Sequence, residues 1–138
     1  MRNNMNIIKN KIILITGGTG SIGSALAIKM LKLNCKVVRV MSNDENGLYD
    51  LSNSINSFTK TNTNFFDNME KNKVRFFLGD VRDYERCLDV TRGVDIVIHA
   101  AALKHVSICE YNPFEVIKTN VIGTQNLIKA SLLNKVKK

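Results

Sequence analysis

The first forty residues hold the pattern that most narrows the fold. Ile12-Ile13-Leu14-Ile15 is a short, mostly β-branched run that stops at Thr16-Gly17-Gly18. Such a run reads as a strand buried on both faces. Behind the glycines, Ile22, Ala25, Leu26, Met30 and Leu33 recur at helical spacing, and Asn34 suits the left-handed residue that ends a helix. Val37-Val38-Arg39-Val40 is a second strand. Strand, glycine turn, helix and strand in this order predict a parallel pair, since parallel strands need a crossover connection, and its hand is nearly always right.

The same alternation continues. Leu48, Leu51, Ile55 and Phe58 keep a helical spacing, with Asn43 or Asp44 available as cap and Gly47 weakening the first turn. Thr59 to Asn72 reads as a loop, with Phe65-Phe66 as an anchor onto the body. Val74 to Leu78 is a third strand, stopped by Gly79-Asp80. A short helix is expected from the cap Asp83 to Gly93, and Val94 to His99 is a fourth strand. Ala100 to Tyr111 reads as a loop. A last helix is predicted from Asn112 as cap, with Pro113 at its first position and Glu115 completing a capping box, to about Asn134. Its apolar face would run Phe114, Ile117, Val121, Ile128. The expected fold is α/β, a doubly wound parallel sheet ordered 3-2-1-4. At 138 residues, 44% of them hydrophobic, the chain suits one domain. Residues 1–11 read as a polar extension and 12–138 as the domain.

Gly17, Gly20 and Gly23 lie at G-x-x-G-x-x-G spacing between the first strand and helix, where the dinucleotide fingerprint requires them. The first permits the tight turn, the middle one lets the backbone approach a pyrophosphate, and the last lets the helix pack on the strand. The helix start, Ser21-Ile22-Gly23, then offers unpaired amides and a positive dipole end to phosphates, and Thr19 and Ser21 add hydroxyls. Asp44 lies 21 residues past Gly23, where an acid would bond the 2′-hydroxyl of NAD; it equally suits plain helix capping. Ser42 and Asn43 come before it and are neutral. Arg39 is close in sequence, with its direction open, so NAD and NADP both stand. Asp80, with Val81, follows the third strand as an adenine acceptor or as a turn acid. Ala100, Ala101 and Ala102 end the fourth strand with room for a flat ligand at the carboxyl edge of the sheet. His99 beside them reads as packing or as part of the site.

Other classes of function find less support. No apolar run approaches the roughly 18 residues of a membrane span, and Ile12 to Ile15 is too short for a signal peptide, so a cytoplasmic protein is expected. The net charge is +8, yet the lysines are scattered, with no basic helix or basic-aromatic stripe, which argues against nucleic acid. Cys35, Cys87 and Cys109 are odd in number and lack zinc-ligand spacing, so no metal site or disulfide framework is expected.

Three stretches carry a family resemblance: Thr16 to Gly23, Leu78-Gly79-Asp80-Val81-Arg82-Asp83, and Ala101-Ala102-Leu103-Lys104-His105-Val106. Together with Cys109-Glu110-Tyr111-Asn112-Pro113-Phe114 and Lys118 to Thr124, they resemble the extended short-chain dehydrogenase/reductases. More narrowly, they resemble the CapD-like polysaccharide-biosynthesis group that includes the UDP-N-acetylglucosamine 4,6-dehydratases. The resemblance implies a Rossmann-type fold and a bound nicotinamide that takes hydride from the sugar 4-position. Water then leaves from the 6-position, and the hydride returns there. It implies that Gly17, Gly20 and Gly23 hold the pyrophosphate, and that Asp80 and Val81 hold the adenine. Ala100, Ala101 and Lys104 would line the nicotinamide side, and Asn120 would buttress the site. The loop from Lys104 through His105 and Glu110 to Tyr111 would approach a UDP-N-acetylglucosamine-like substrate.

The chain departs from the family where Asn43 stands for a frequent arginine and Ser107 for a usual proline. The family's catalytic tyrosine and lysine, four residues apart, are absent: Tyr49, Tyr84 and Tyr111 have no lysine four residues later, so no catalytic residue is assigned. Three readings are open. The chain is the nucleotide-binding half of a dehydratase or epimerase, inactive until completed by a C-terminal half. Or it is a stand-alone dinucleotide-binding regulatory module. Or it is a remnant whose fourth strand is an unpaired edge. By resemblance the last helix supports pairing into a homo-oligomer.

Overall fold

The computed structural model describes residues 5–61 and 73–138. A single turn, α1 (Met5–Ile8), precedes β1 (Ile12–Thr16), α2 (Ser21–Lys32), β2 (Val37–Ser42) and α3 (Glu45–Thr61). Then come β3 (Val74–Leu78), α4 (Tyr84–Thr91), β4 (Ile96–His99), α5 (Val106–Tyr111) and α6 (Pro113–Ile117). A π-helical stretch (Lys118–Gly123) leads into α7 (Thr124–Leu133). The four strands are parallel and ordered β3-β2-β1-β4, as expected. Ile13 pairs with Val38 on one side and Ile96 on the other, so β1 is central.

Alternate side chains of β1 feed two cores. Ile13 and Ile15 pack with Val38, Val40, Ala27 and Leu31 under α2 and α3. Leu14 packs with Met41, Cys87, Val90 and Leu127 under α4 and α7. A central parallel strand covered on both faces reads as a continuous apolar run, which is what Ile12 to Ile15 is. Burial pushes the Cys35 and Cys87 thiols up to about 11. These two and Cys109 are free cysteines.

The expected caps are largely present. Asn34 has φ 56° and Gly93 has φ 71°, both left-handed. Asp83 accepts the Arg86 amide at 3.0 Å, and Asp44 accepts the Gly47 amide at 3.0 Å. Arg39 turns away from the strand ends and donates to the Val90 and Arg92 carbonyls at 2.7 and 2.9 Å.

Several expectations need correction. Near β1 the chain is tied to the body: the Asn10 amide donates to the Asn34 carbonyl at 3.2 Å, and Ile8 packs on the core. Helix α3 runs through Thr61, past the expected loop start at Thr59; Phe65-Phe66 lies outside the described residues. In α2 the buried positions are Gly23, Ala27, Met30 and Leu31, while Ile22 is exposed. The expected loop Ala100 to Tyr111 contains α5, which buries none of its residues and leaves Val106, Ile108 and Tyr111 exposed. Asn112 sits at the N-cap position of α6 and Pro113 begins the helix, as expected, but no capping box forms: the Asn112 side-chain amide donates to the Ile108 carbonyl at 3.0 Å, and Glu115 turns to Arg82 and Lys118. The stripe Phe114, Ile117, Val121, Ile128 is exposed, and α7 buries Leu127 and Ala130. The β4 edge is not bare: the Val97 amide donates to the Lys138 carbonyl at 2.9 Å and the Lys137 amide to the Asp95 carbonyl at 3.0 Å.

Candidate functional site

The carboxyl ends of all four strands open on one cleft of about 430 Å³. Its floor is the turn after β1. Gly17 has φ 65°, and a Cβ there would lie 2.6 Å from the Ala101 Cα, so only glycine fits both the conformation and the approach of the β4 loop. A Cβ on Gly23 would lie 2.7 Å from the Gly18 Cα, which is why the helix can seat against the turn. Gly20 lines the cleft. It starts α2 with no side-chain cap, so the first-turn amides are left for another acceptor. Thr19 Oγ1 lies 2.9 Å from Ser42 Oγ, which also accepts the Asp44 amide at 3.2 Å, tying the turn to the end of β2.

Of the expected site residues, Gly17, Thr19, Gly20, Ser42, Asn43 and Asp44 line the cleft. So do Asp80, Val81, Ala100, Ala101, Ala102 and Lys104. Ser21, Ile22 and Gly23 lie behind it in the first turn of α2, and Asn120 is set back in the π-helical stretch. His105 and Glu110 are exposed and outside the cleft lining. The Asn120 amide clamps the β4 loop: its Oδ1 accepts the Leu103 amide at 2.9 Å and its Nδ2 donates to the Leu103 carbonyl at 2.8 Å.

His99 is a hub at the back of that loop. The Thr124 hydroxyl donates to the Asn120 carbonyl at 2.7 Å, so towards His99 Nε2, 3.0 Å away, it accepts. Nε2 therefore carries the proton, and Nδ1 accepts from the Thr16 hydroxyl at 2.7 Å. Partial burial pushes the His99 pKa below its ordinary value, which favours this neutral ring.

Arg82 and Glu115 line the cleft although the sequence did not assign them to the site. Arg82 donates through Nε and Nη2 to Asp80 Oδ2 at 2.9 and 2.7 Å, and through Nη1 to Glu115 Oε2 at 2.8 Å. Glu115 also takes Lys118 Nζ at 2.7 Å. Burial pushes the Asp80 carboxyl up, but the Arg82 hydrogen bonds and charge outweigh it and hold Asp80 below the usual carboxylate range. Asn126 Nδ2 donates to the Val81 and Arg82 carbonyls at 3.2 and 3.0 Å and holds this turn on α7.

A glycine turn between the first strand and helix of a 3-2-1-4 parallel sheet, with its cleft at the carboxyl edge, defines a Rossmann-type domain. The chain belongs to the polysaccharide biosynthesis protein family, whose pattern it matches over residues 13–138. It is 48% identical over 133 residues to an uncharacterized membrane protein of Methanocaldococcus jannaschii, covering 96% of this chain and 36% of the relative. It is 46% identical over 134 residues to an inverting UDP-N-acetylglucosamine 4,6-dehydratase of Campylobacter jejuni, covering 96% and 36%. It is 41% identical over 133 residues to a UDP-glucose 4-epimerase of Rickettsia prowazekii, covering 94% and 35%. Among solved structures, Pen from Bacillus thuringiensis superposes with TM-score 0.82 at 40% identity, covering 95% of this chain and 38% of that one. DesIV, a dTDP-glucose 4,6-dehydratase of Streptomyces venezuelae solved with NAD and TYD bound, superposes with TM-score 0.69 at 26% identity, covering 91% and 37%. The chain thus spans about a third of the length of the curated relatives it matches. Among the described residues no helix is long and apolar enough to cross a membrane.

Proposed function

We propose that this chain is the NAD(P)-binding portion of a nucleotide-sugar dehydratase or epimerase, similar to the UDP-N-acetylglucosamine 4,6-dehydratases, and that it does not turn over alone. The observation that carries this reading is the approach of Gly17 to Ala101, which sets the uncapped start of α2 and the β4 loop on one cleft. The likeness to the Campylobacter dehydratase and to DesIV supports it. When bound, a nicotinamide dinucleotide supplies a hydride acceptor and donor. Gly17, Thr19 and Gly20, with the first-turn amides of Ser21, Ile22 and Gly23, hold the pyrophosphate. Ser42, Asn43 and Asp44 take the adenosine ribose, and Asp80 and Val81 the adenine. Ala100, Ala101, Ala102 and Lys104 line the nicotinamide side, with Asn120 holding their loop. Lys104, His105 and Glu110 approach the nucleotide sugar. The reading includes lyase chemistry in the cytoplasm and assembly as a homo-oligomer.

The test is calorimetric titration of the purified 138-residue chain, with circular dichroism to establish that it is folded. Micromolar to millimolar binding of NAD or NADP is expected, with no conversion of UDP-N-acetylglucosamine. Folded protein that binds neither dinucleotide sinks the reading, and steady conversion contradicts its second half.

A further inference from the structure

We infer that His99 is a positioning residue: from behind the cleft it clamps both ends of the segment Ala100–Leu103, the wall against Gly17, without meeting a ligand itself. The inference rests on the dinucleotide reading only for its effect on binding; the clamp is read from hydrogen bonds alone. Ala100, Ala101, Ala102 and Leu103 line the cleft, whereas His99 and Thr124 line a separate groove along β4 and α7. The near end of the segment is held through Thr16. Its carbonyl accepts the Ala100 amide at 3.1 Å, and its hydroxyl donates to His99 Nδ1 at 2.7 Å. The far end is held through Thr124. His99 Nε2 donates to that hydroxyl at 3.0 Å, and the hydroxyl donates to the Asn120 carbonyl at 2.7 Å. The Asn120 side chain then takes both the amide and the carbonyl of Leu103, at 2.9 and 2.8 Å.

The chain of bonds runs in one direction only. The Thr124 proton is committed to a carbonyl, which has none to give, so Thr124 presents a lone pair to the ring. The ring proton therefore sits on Nε2, and Nδ1 is bare. Thr16 is fully buried, and that bare nitrogen is what its hydroxyl proton bonds. The other tautomer would set a bare nitrogen against a lone pair at Thr124. At Thr16 it would bring two protons to one contact, and turning the hydroxyl to accept would withdraw its proton from the acceptor it has. Both faults leave buried polar groups unpaired, which is the costly kind of loss. One ring thus fixes two ends, through partners that are all neutral. The reach of the clamp follows from Gly17, where a Cβ would lie 2.6 Å from the Ala101 Cα. With backbones that close, a shift of Ala100–Leu103 changes the floor and the wall of the cleft together.

The experiment is NMR of the isotope-labelled full chain at neutral pH, which reads each ring nitrogen directly. Beside it stand Thr124→Val, which keeps the shape and loses the hydroxyl, and Thr124→Ser, which restores the hydroxyl. The chain has two histidines, and the exposed His105 serves as the reference ring. In the native chain His99 is expected with Nε2 protonated and Nδ1 bare. In Thr124→Val that single tautomer should be lost. The Leu103 amide should then exchange with deuterium about tenfold faster or more, while the amide of Val38, fully buried in β2, holds its rate. The Kd for NAD should rise severalfold, although Thr124 lies outside the cleft lining. Thr124→Ser should recover the tautomer, the Leu103 rate and the Kd. A proton on Nδ1 in the native chain overturns the clamp. So does an unchanged Leu103 rate in Thr124→Val with circular dichroism intact, or no recovery in Thr124→Ser. Equal acceleration at Val38 marks general loosening and overturns it too. A faster Leu103 with an unchanged Kd overturns its bearing on the cleft. If the native chain binds no dinucleotide, the dinucleotide reading falls, and the tautomer and the Leu103 rate decide the clamp by themselves.

Discussion

Gly17 carries two constraints at once, a left-handed backbone and a neighbour too close for any side chain. Gly93 is a useful contrast: its φ is 71°, but nothing lies within 4 Å of where a Cβ would sit. Gly93→Ala should therefore cost only the conformational term, about 1 kcal/mol, whereas Gly17→Ala should cost about 3 kcal/mol or more and weaken dinucleotide binding as well. Urea unfolding of the two variants side by side checks this. His99 makes a second residue-scale prediction. Its folded pKa lies below the ordinary value near 6.5, so the unfolded chain takes up the proton first. The stability its neutral ring contributes is present above about pH 6.5 and is lost as pH falls from there towards the folded pKa. Denaturant midpoints should drop over that interval in the native chain. The drop should shrink in His99→Gln, whose amide does not titrate.

At the scale of elements, the chain between Pro113 and Leu133 shows how a sequence pattern can be real and still mislead. Phe114, Ile117, Val121 and Ile128 do match one helical face of an unbroken helix. The π-helical stretch Lys118–Gly123 inserts an extra residue into a turn and rotates the helix beyond it. The buried series is then Gly123, Leu127 and Ala130, one position out of phase with the apolar stripe. Nothing local marks that insertion, because it is held by long-range bonds from Asn120 to Leu103. By contrast, the ends of α4 were legible, since Asp83 and Gly93 act within a few residues of their own helix. One tie between elements was not: Asn134 Nδ2 donates to both the Leu88 carbonyl and Thr91 Oγ1 at 2.8 Å, joining the ends of α7 and α4. Two hydrogen bonds at a part-buried contact predict a loss of about 2 kcal/mol for Asn134→Ala, read by thermal or denaturant unfolding.

For the whole molecule, sheet order was legible in the alternation of strands and helices because right-handed crossovers leave few alternatives. The glycine turn and the strand ends were legible for the same reason, since topology alone brings them to one edge. The Arg82–Glu115 bridge was not, because its partners are 33 residues apart on separate elements and share no local pattern. The cleft joins segments from Gly17 to Lys104, so a ligand that fills it holds the two halves of the sheet together. Saturating NAD at about 100 times its Kd should therefore raise unfolding stability by about 2.7 kcal/mol, visible as an upward shift of the thermal midpoint. The last two residues have a consequence of another kind. The Val97 amide faces outward from the edge strand and is covered by the Lys138 carbonyl. Its hydrogen should trade with deuterium only when the tail lifts, on a clock separate from that of the central strand. Removing Lys137 and Lys138 should speed that exchange tenfold or more while the Leu14 amide keeps its own slow pace, so Val97 becomes a residue-level gauge of whatever occupies the β4 edge.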